Sequence, residues 1–295
     1  MTAVTCFAAA KVNLYLHLLG RRADGYHLID SLVAFADIGD RLTARTARAL
    51  SLEVTGTEAE ALAGESDNLV LRAARALAEH ARVAAAASLH LEKNLPVAGG
   101  VGGGSADAAA ALRTLRRLWQ IEIDDTALAR LGERLGADIP VCVLGKPAWV
   151  AGIGEQIEFA PPLPSAGILL VNPRRRLPTA AVFNARGAEF GSAAGRPSRS
   201  PSDAAALAAV LAPLRNDLTA AAMSFVPEIG RILNTLGQLS GALVARMSGS
   251  GATCFALFRD RAAARSAQLE LAAAEPGWWC AAGSLLAAEL GSARS

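Results

Sequence analysis

The residues best suited to chemistry lie between Leu95 and Ala110, where Pro96 opens a loop with glycines at 99, 100, 102, 103 and 104 and Ser105 closes it. Five glycines within six positions leave backbone amides uncovered, and uncovered amides can close around a phosphate. Leu112, Leu115 and Leu118 follow at helical spacing, so the loop delivers its ligand to a helix N-terminus, where unpaired N–H groups and the positive end of the dipole attract anions. No Gly-x-x-x-x-Gly-Lys-Ser/Thr run exists in the chain. The dinucleotide fingerprint also fails, because position 105 is serine and no acidic residue closes a strand about 20 residues later. A proline-led phosphate loop remains, with the Ser105 hydroxyl suited to a phosphate oxygen or a magnesium ion.

Phosphoryl transfer needs an anion cradle, a cation, a magnesium site and a group that orients the attacking hydroxyl. Asp138 follows Gly136 at an expected helix-to-strand junction, where a carboxylate can point into a cleft. Taken alone, each candidate has an ordinary reading as well. An aspartate before Ile139-Pro140 caps or turns the chain, a strand lysine such as Lys11 ends in solvent, and His27 sits in a turn. Likewise Asn13 ends a strand, Asn68 caps a helix, Phe183 fills a core, and Gly249 to Gly251 turn a hairpin.

Three ordered segments together resemble the GHMP kinases: Ala9-Ala10-Lys11-Val12-Asn13, the loop from Pro96 to Ser105, and Met247-Ser248-Gly249-Ser250-Gly251. Two more, Arg21-Arg22-Ala23-Asp24-Gly25-Tyr26-His27 and Leu135-Gly136-Ala137-Asp138-Ile139-Pro140, are similar to the branch whose acceptor is a cytidine-diphosphate-linked methylerythritol. The resemblance covers nearly the whole chain and is weakest between Gly187 and Asp203. It implies an α+β fold of two domains with the active site in the cleft between them. It also implies ATP-dependent phosphorylation of the acceptor's 2-hydroxyl in the non-mevalonate route to isoprenoid precursors.

By the same resemblance, Asp138 accepts the hydroxyl proton and Lys11 supplies positive charge beside it. Pro96, Gly99, Gly100, Val101, Gly102, Gly103, Gly104, Ser105 and Asn68 would hold ATP, with Ser105 on Mg2+. Tyr26 and Phe183 would sandwich the cytosine while His27 bonds its edge, and Asn13, Gly249, Ser250 and Gly251 would complete the acceptor side. No second acidic magnesium ligand is evident. Another acceptor, homoserine or a mevalonate phosphate, would leave Tyr26 without a base to stack on; a nucleotide-binding module without catalysis would not need both Lys11 and Asp138.

These residues need elements to hold them. Residues 4 to 55 alternate apolar and polar positions, punctuated by Gly20, Asp24-Gly25 and Gly39-Asp40, and predict short strands and hairpins. A helix is expected from Ser66-Asp67-Asn68, a strand at Ser88 to Glu92, the glycine-loop helix, and a further helix from Asp124 to Leu135. Pro140 to Val143 reads as the start of an extended segment, and Ala148 to Phe159 as a hairpin. The clustered prolines at 161, 162 and 164 mark a boundary, giving domains 1–160 and 161–295. Beyond it come a strand at Ile168 to Val171, a helix at Ala205 to Leu211, a strand-turn-strand over Ala242 to Phe258, a helix from Arg261 and a strand near Trp278. Gly187 to Asp203 has the composition of a mobile surface loop or linker.

With 295 residues, 52% of them hydrophobic, the chain can fill substantial cores. A net charge of +2 and a single dense cationic run, Arg174 to Arg176, which reads as a solvated loop or a diphosphate clamp, exclude a nucleic-acid footprint. Cys6, Cys142, Cys254 and Cys280 are too scattered for zinc or a disulfide framework and read as reduced thiols. No apolar run suits a signal peptide or membrane span. A cytoplasmic enzyme acting on small molecules is expected, its oligomeric state open.

Overall fold

The computed structural model describes residues 3–286 apart from 66, 188 and 198. Instead of short hairpins, the N-terminus forms two long antiparallel strands, β1 (Ala3–Arg21) and β2 (His27–Thr46), joined by a turn over Arg22 to Tyr26 that contains Asp24-Gly25. The glycines at 20 and 39 do not end strands, because β2 is hydrogen-bonded to β1 and also to β4 (Ala87–Glu92) and β5 (Ala148–Gly152). Excess residues are absorbed where the β1–β2 register shifts, between Ala9 and Lys11, Asn13 and Tyr15, and Leu18 and Gly20. Such irregularities re-aim side chains, and here they bracket Lys11 and Asn13. β3 (Ser51–Thr55) adds in parallel to β4, and β6 (Gln156–Phe159) pairs with β5 in the expected hairpin, completing six strands.

Four helices belong to this half. Asn68 caps α1 (Leu69–Ala81) by accepting the Val70 amide; Ser66 lies outside the described residues. In α2 (Gly103–Leu118), Ala106 and Ala108 to Ala111 are fully buried or nearly so, small enough to let the helix press into the sheet core. Asp124 caps α3 (Asp125–Glu133) through the Ala127 amide. The segment expected to be extended after Pro140 is instead a short helix, α4 (Ile139–Leu144). Pro140 stands in its first turn, where a missing N–H costs nothing because no intrahelical acceptor exists there.

The second sheet, ordered β10-β7-β9-β8, contains β7 (Gly167–Asn172), β8 (Val244–Met247), β9 (Cys254–Phe258) and β10 (Trp279–Ser284), all antiparallel. Among its helices, α6 (Ala204–Leu211) and α9 (Arg261–Ala274) meet the sequence expectation. α5 (Thr179–Ala185), α7 (Thr219–Phe225) and α8 (Glu228–Gln238) were not anticipated. Leu16 and Leu18 of β1 lie in the same apolar cluster as Leu169, Leu218, Ile229 and Ile232, so the first strand is a spine shared by both halves.

Gly187 to Asp203 forms no helix or strand among the described residues, as a loop should, but it is no free linker. The Gly191 amide donates to the Leu18 carbonyl, the Ala194 amide to buried Asp30, and Arg196 pairs with Glu158. No described helix is long and apolar enough to cross a membrane. All four cysteines are free thiols, Cys142 and Cys254 buried and Cys6 and Cys280 half-buried.

Candidate active site

The glycine loop is turned inside out by its anchors. Its carbonyls at Gly99, Gly100 and Val101 accept, respectively, from the Thr253 amide at 2.9 Å, the Ser248 hydroxyl at 3.0 Å and the Lys11 amide at 3.0 Å. Three consecutive carbonyls are thus spent on other segments. The backbone N–H groups of residues 99 to 105 donate to no described residue. They form a row of unpaired donors running into the N-terminus of α2, the electrostatic requirement for holding an anion.

Glycine is needed here for space as well as conformation. Gly100 has φ of +76°, and a Cβ on it would lie 2.6 Å from the carbonyl oxygens of Ser248 and Gly251. Gly102, at φ +62°, lies on the Lys11 side chain, its added Cβ 3.1 Å from Lys11 Cβ. The phosphate loop therefore packs back to back with the glycine turn between β8 and β9 and face down on β1.

Beneath the loop, a cleft of about 1020 Å3 is lined by Lys11, Asn13, Tyr26, His27, Asn68, Gly99, Gly100, Gly102, Gly103, Gly104, Ser105, Asp138, Phe183, Gly249 and Ser250. Its volume matches the upper end of small-molecule sites and suits two ligands side by side. Pro96, Val101 and Gly251 do not contribute to the wall. Val101 is wholly buried in the core between the sheets, Pro96 is buried, and Gly251 backs onto Met247, whose sulfur would lie 2.7 Å from an added Cβ.

Lys11 Nζ reaches Asp138 Oδ1 at 2.9 Å, the lysine side chain 5% exposed and the aspartate 46%. Asp138 occupies the N-cap position of α4 but makes no side-chain capping bond, which leaves the carboxylate for the cleft. The junction is helix to helix rather than helix to strand. Two residues along β1, Asn13 donates its amide to Ser31 Oγ at 2.8 Å, while its buried Oδ1 has no hydrogen-bond partner. An orphan acceptor in a cleft wall is costly unless a ligand donates to it.

At one end of the cleft, the rings of His27 and Phe183 lie 5.4 Å apart at 37°. Tyr26 is 61% exposed on the same wall. Burial, and then the positive charges of Arg186 and Arg21, lower the His27 pKa. Ser250 Oγ shares a hydrogen bond of 2.9 Å with Thr179 Oγ1, joining the glycine turn to α5. Asn68 both caps α1 and lines the cleft, so its two readings are compatible.

Among the wall residues that the sequence motifs do not single out are Lys93 and Asp107, which with Asp40 form a buried cluster under the loop. Each had a signal in the sequence, a charge at the end of the strand that leads into the glycine loop and a charge within an otherwise alanine-rich helix start. For a metal, no group of three or more His, Cys, Asp or Glu side chains is gathered among the described residues. Ser105 Oγ has no partner among the described residues and stands in the first turn of α2. That suits Mg2+, which keeps much of its hydration and is commonly held through few protein groups plus substrate phosphates.

The models of the GHMP kinases N terminal domain and of the GHMP kinases C terminal match residues 68–146 and 190–277. A protein of Paramagnetospirillum magneticum described as 4-diphosphocytidyl-2-C-methyl-D-erythritol kinase is 50% identical, covering 97% of this chain and 100% of its own. One of Rhodospirillum rubrum with the same description is 51% identical over 95% of this chain and 91% of its own. A crystal structure of 4-(cytidine 5'-diphospho)-2C-methyl-D-erythritol kinase superposes with a TM-score of 0.79 at 34% identity, covering 95% of this chain and 98% of the other. The chain belongs to the GHMP kinases, within the family of the 4-diphosphocytidyl-2-C-methyl-D-erythritol kinases.

Proposed function

We propose that this chain transfers the γ-phosphoryl group of ATP to the 2-hydroxyl of 4-diphosphocytidyl-2-C-methyl-D-erythritol, giving the 2-phosphate and ADP. The observation that carries this reading is the Lys11–Asp138 pair, 2.9 Å apart in the cleft wall that also presents the unpaired loop amides. The amides of residues 99 to 105 hold the nucleotide phosphates. Asp138 accepts the proton of the attacking hydroxyl, and the Lys11 ammonium stabilises the negative charge developing on that oxygen.

Asn13 Oδ1 takes a hydrogen bond from the methylerythritol portion or its hydrated diphosphate. The cytosine lies between Tyr26 and Phe183 with its edge on His27. This division assigns donor and acceptor to the loop side and the aromatic side of one cleft. Mg2+, when bound, would neutralise phosphate charge, and Ser105 Oγ is the residue that would hold it.

A coupled ADP-release assay with the cytidine diphosphate acceptor tests the reading. Wild-type turnover is expected with that acceptor, and Asp138→Asn should reduce kcat by about 10²–10⁴-fold, the usual worth of a positioned general base. Turnover of the variant at the wild-type rate would remove Asp138 from this role, and activity only on homoserine or a mevalonate phosphate would redirect the acceptor assignment.

A further inference from the structure

The two ends of the phosphate loop meet in a buried cluster that the reaction chemistry leaves unexplained. Asp40, fully buried in β2, accepts on Oδ1 from the amides of Asn94 at 2.5 Å and Leu95 at 2.8 Å, the last residues before the loop. Its Oδ2 accepts from Lys93 Nζ at 2.5 Å. The same ammonium donates to Asp107 Oδ2 at 2.7 Å, in the first turns of α2, just after the loop. All three side chains are at least nine-tenths buried, and Asp107 Oδ1 has no partner. Gly103 is the point of closest approach, where a Cβ would lie 3.1 Å from Lys93 Nζ.

Burying three ionisable groups costs several kcal/mol per charge before pairing returns any of it. Packing alone would be served as well by apolar residues of similar volume. What apolar residues cannot do is fix the position of one loop end relative to the other through directional bonds. We propose that Asp40, Lys93 and Asp107 form a clamp that holds both ends of the loop in register, so that its carbonyls meet Thr253, Ser248 and Lys11 and its amides stay bare. The three are positioning residues for the phosphate donor; none acts on the acceptor.

The clamp rests on the assignment of the loop to the nucleotide, and calorimetric binding of a non-hydrolysable ATP analogue and of cytidine diphosphate separates the two claims. Asp107→Leu severs the bridge and is expected to weaken the ATP analogue at least tenfold while cytidine diphosphate stays within twofold. Asp107→Asn keeps an acceptor for Lys93 and should restore nucleotide affinity to within about threefold of wild type. Lys93→Met, which keeps the length of the side chain but has no donor for either carboxylate, provides the same reading if the leucine variant does not fold. Equal losses for both ligands, or wild-type analogue affinity in the severed variants, would overturn the clamp. A wild-type chain that binds no ATP analogue would instead overturn the loop's assignment.

Discussion

Burial first, and then the positive charges of Arg186 and Arg21, lower the His27 pKa and so favour its neutral imidazole over the cation. A neutral ring offers one donor and one acceptor, the combination a pyrimidine edge requires, whereas the cation offers donors alone. The depressed pKa means that the binding form persists above the ordinary value of about 6.5 and is lost only below it. Cytidine diphosphate affinity should therefore be flat above pH 7 and, once pH passes below the lowered value, fall roughly tenfold per unit. Calorimetry across pH checks this, and His27→Gln should abolish the acid limb. Tyr26 makes a separate prediction: base stacking on an aromatic ring is worth about 1–3 kcal/mol, so Tyr26→Ala should weaken cytidine diphosphate about 5- to 150-fold. Its 61% exposure implies a melting temperature close to wild type, and unchanged cytidine affinity would place the base elsewhere.

Among the elements, the phosphate loop depends on two strands and a turn that are remote in sequence. Gly102→Ala would force a side chain into left-handed backbone and against Lys11, a strain of about 1–3 kcal/mol that displacing the lysine would relieve. The expected result is a fall in kcat of at least a hundredfold with a melting temperature lowered by several degrees; a fully active variant would show that the loop tolerates rearrangement. The loop and α2 could be read from their residues because a glycine run followed by apolar positions at helical spacing is a local pattern. α4 could not. Its six residues are too few to show a period, and Pro140 reads equally as a helix start or a strand start until Asp138 and Gly145 are seen at its ends. α5 and α7, seven residues each, are likewise too short to show a period, whereas α8 carries a legible signal in the helical spacing of Ile229, Ile232, Leu233 and Leu236.

For the whole molecule, we place the division between the halves near residue 160, in the proline-rich connection, and expect neither half to be independent. Leu16 and Leu18 of the first strand fill the core that α7, α8 and the second sheet enclose. The Arg246 side chain, buried in the second sheet, donates to the Leu14 carbonyl at 2.6 Å. A fragment of residues 1–160 would expose that apolar surface and should be insoluble or lack a cooperative melt, while co-expression with residues 161–295 should recover soluble complex. Circular dichroism and gel filtration decide the matter, and a soluble, cooperatively melting fragment would show that β1 does not need its second partner.

The sequence by itself determined the chemistry on offer. Glycine spacing and Ser105 state an anion cradle, because that property belongs to a short backbone pattern, whereas a base with a cation and an aromatic acceptor site at residues 11, 13, 26, 27 and 138 were implied only by the resemblance of their segments to the GHMP kinases. Only the tertiary structure decided which of them meet. Lys11 and Asp138 are 127 positions apart in the chain and 2.9 Å apart in space. The loop presents its amides because carbonyl partners come from β1 and the turn after β8, and the Asp40–Lys93–Asp107 cluster exists only once β2, β4 and α2 are packed. Long-range packing sets distances and burial, and no local pattern along the chain records either.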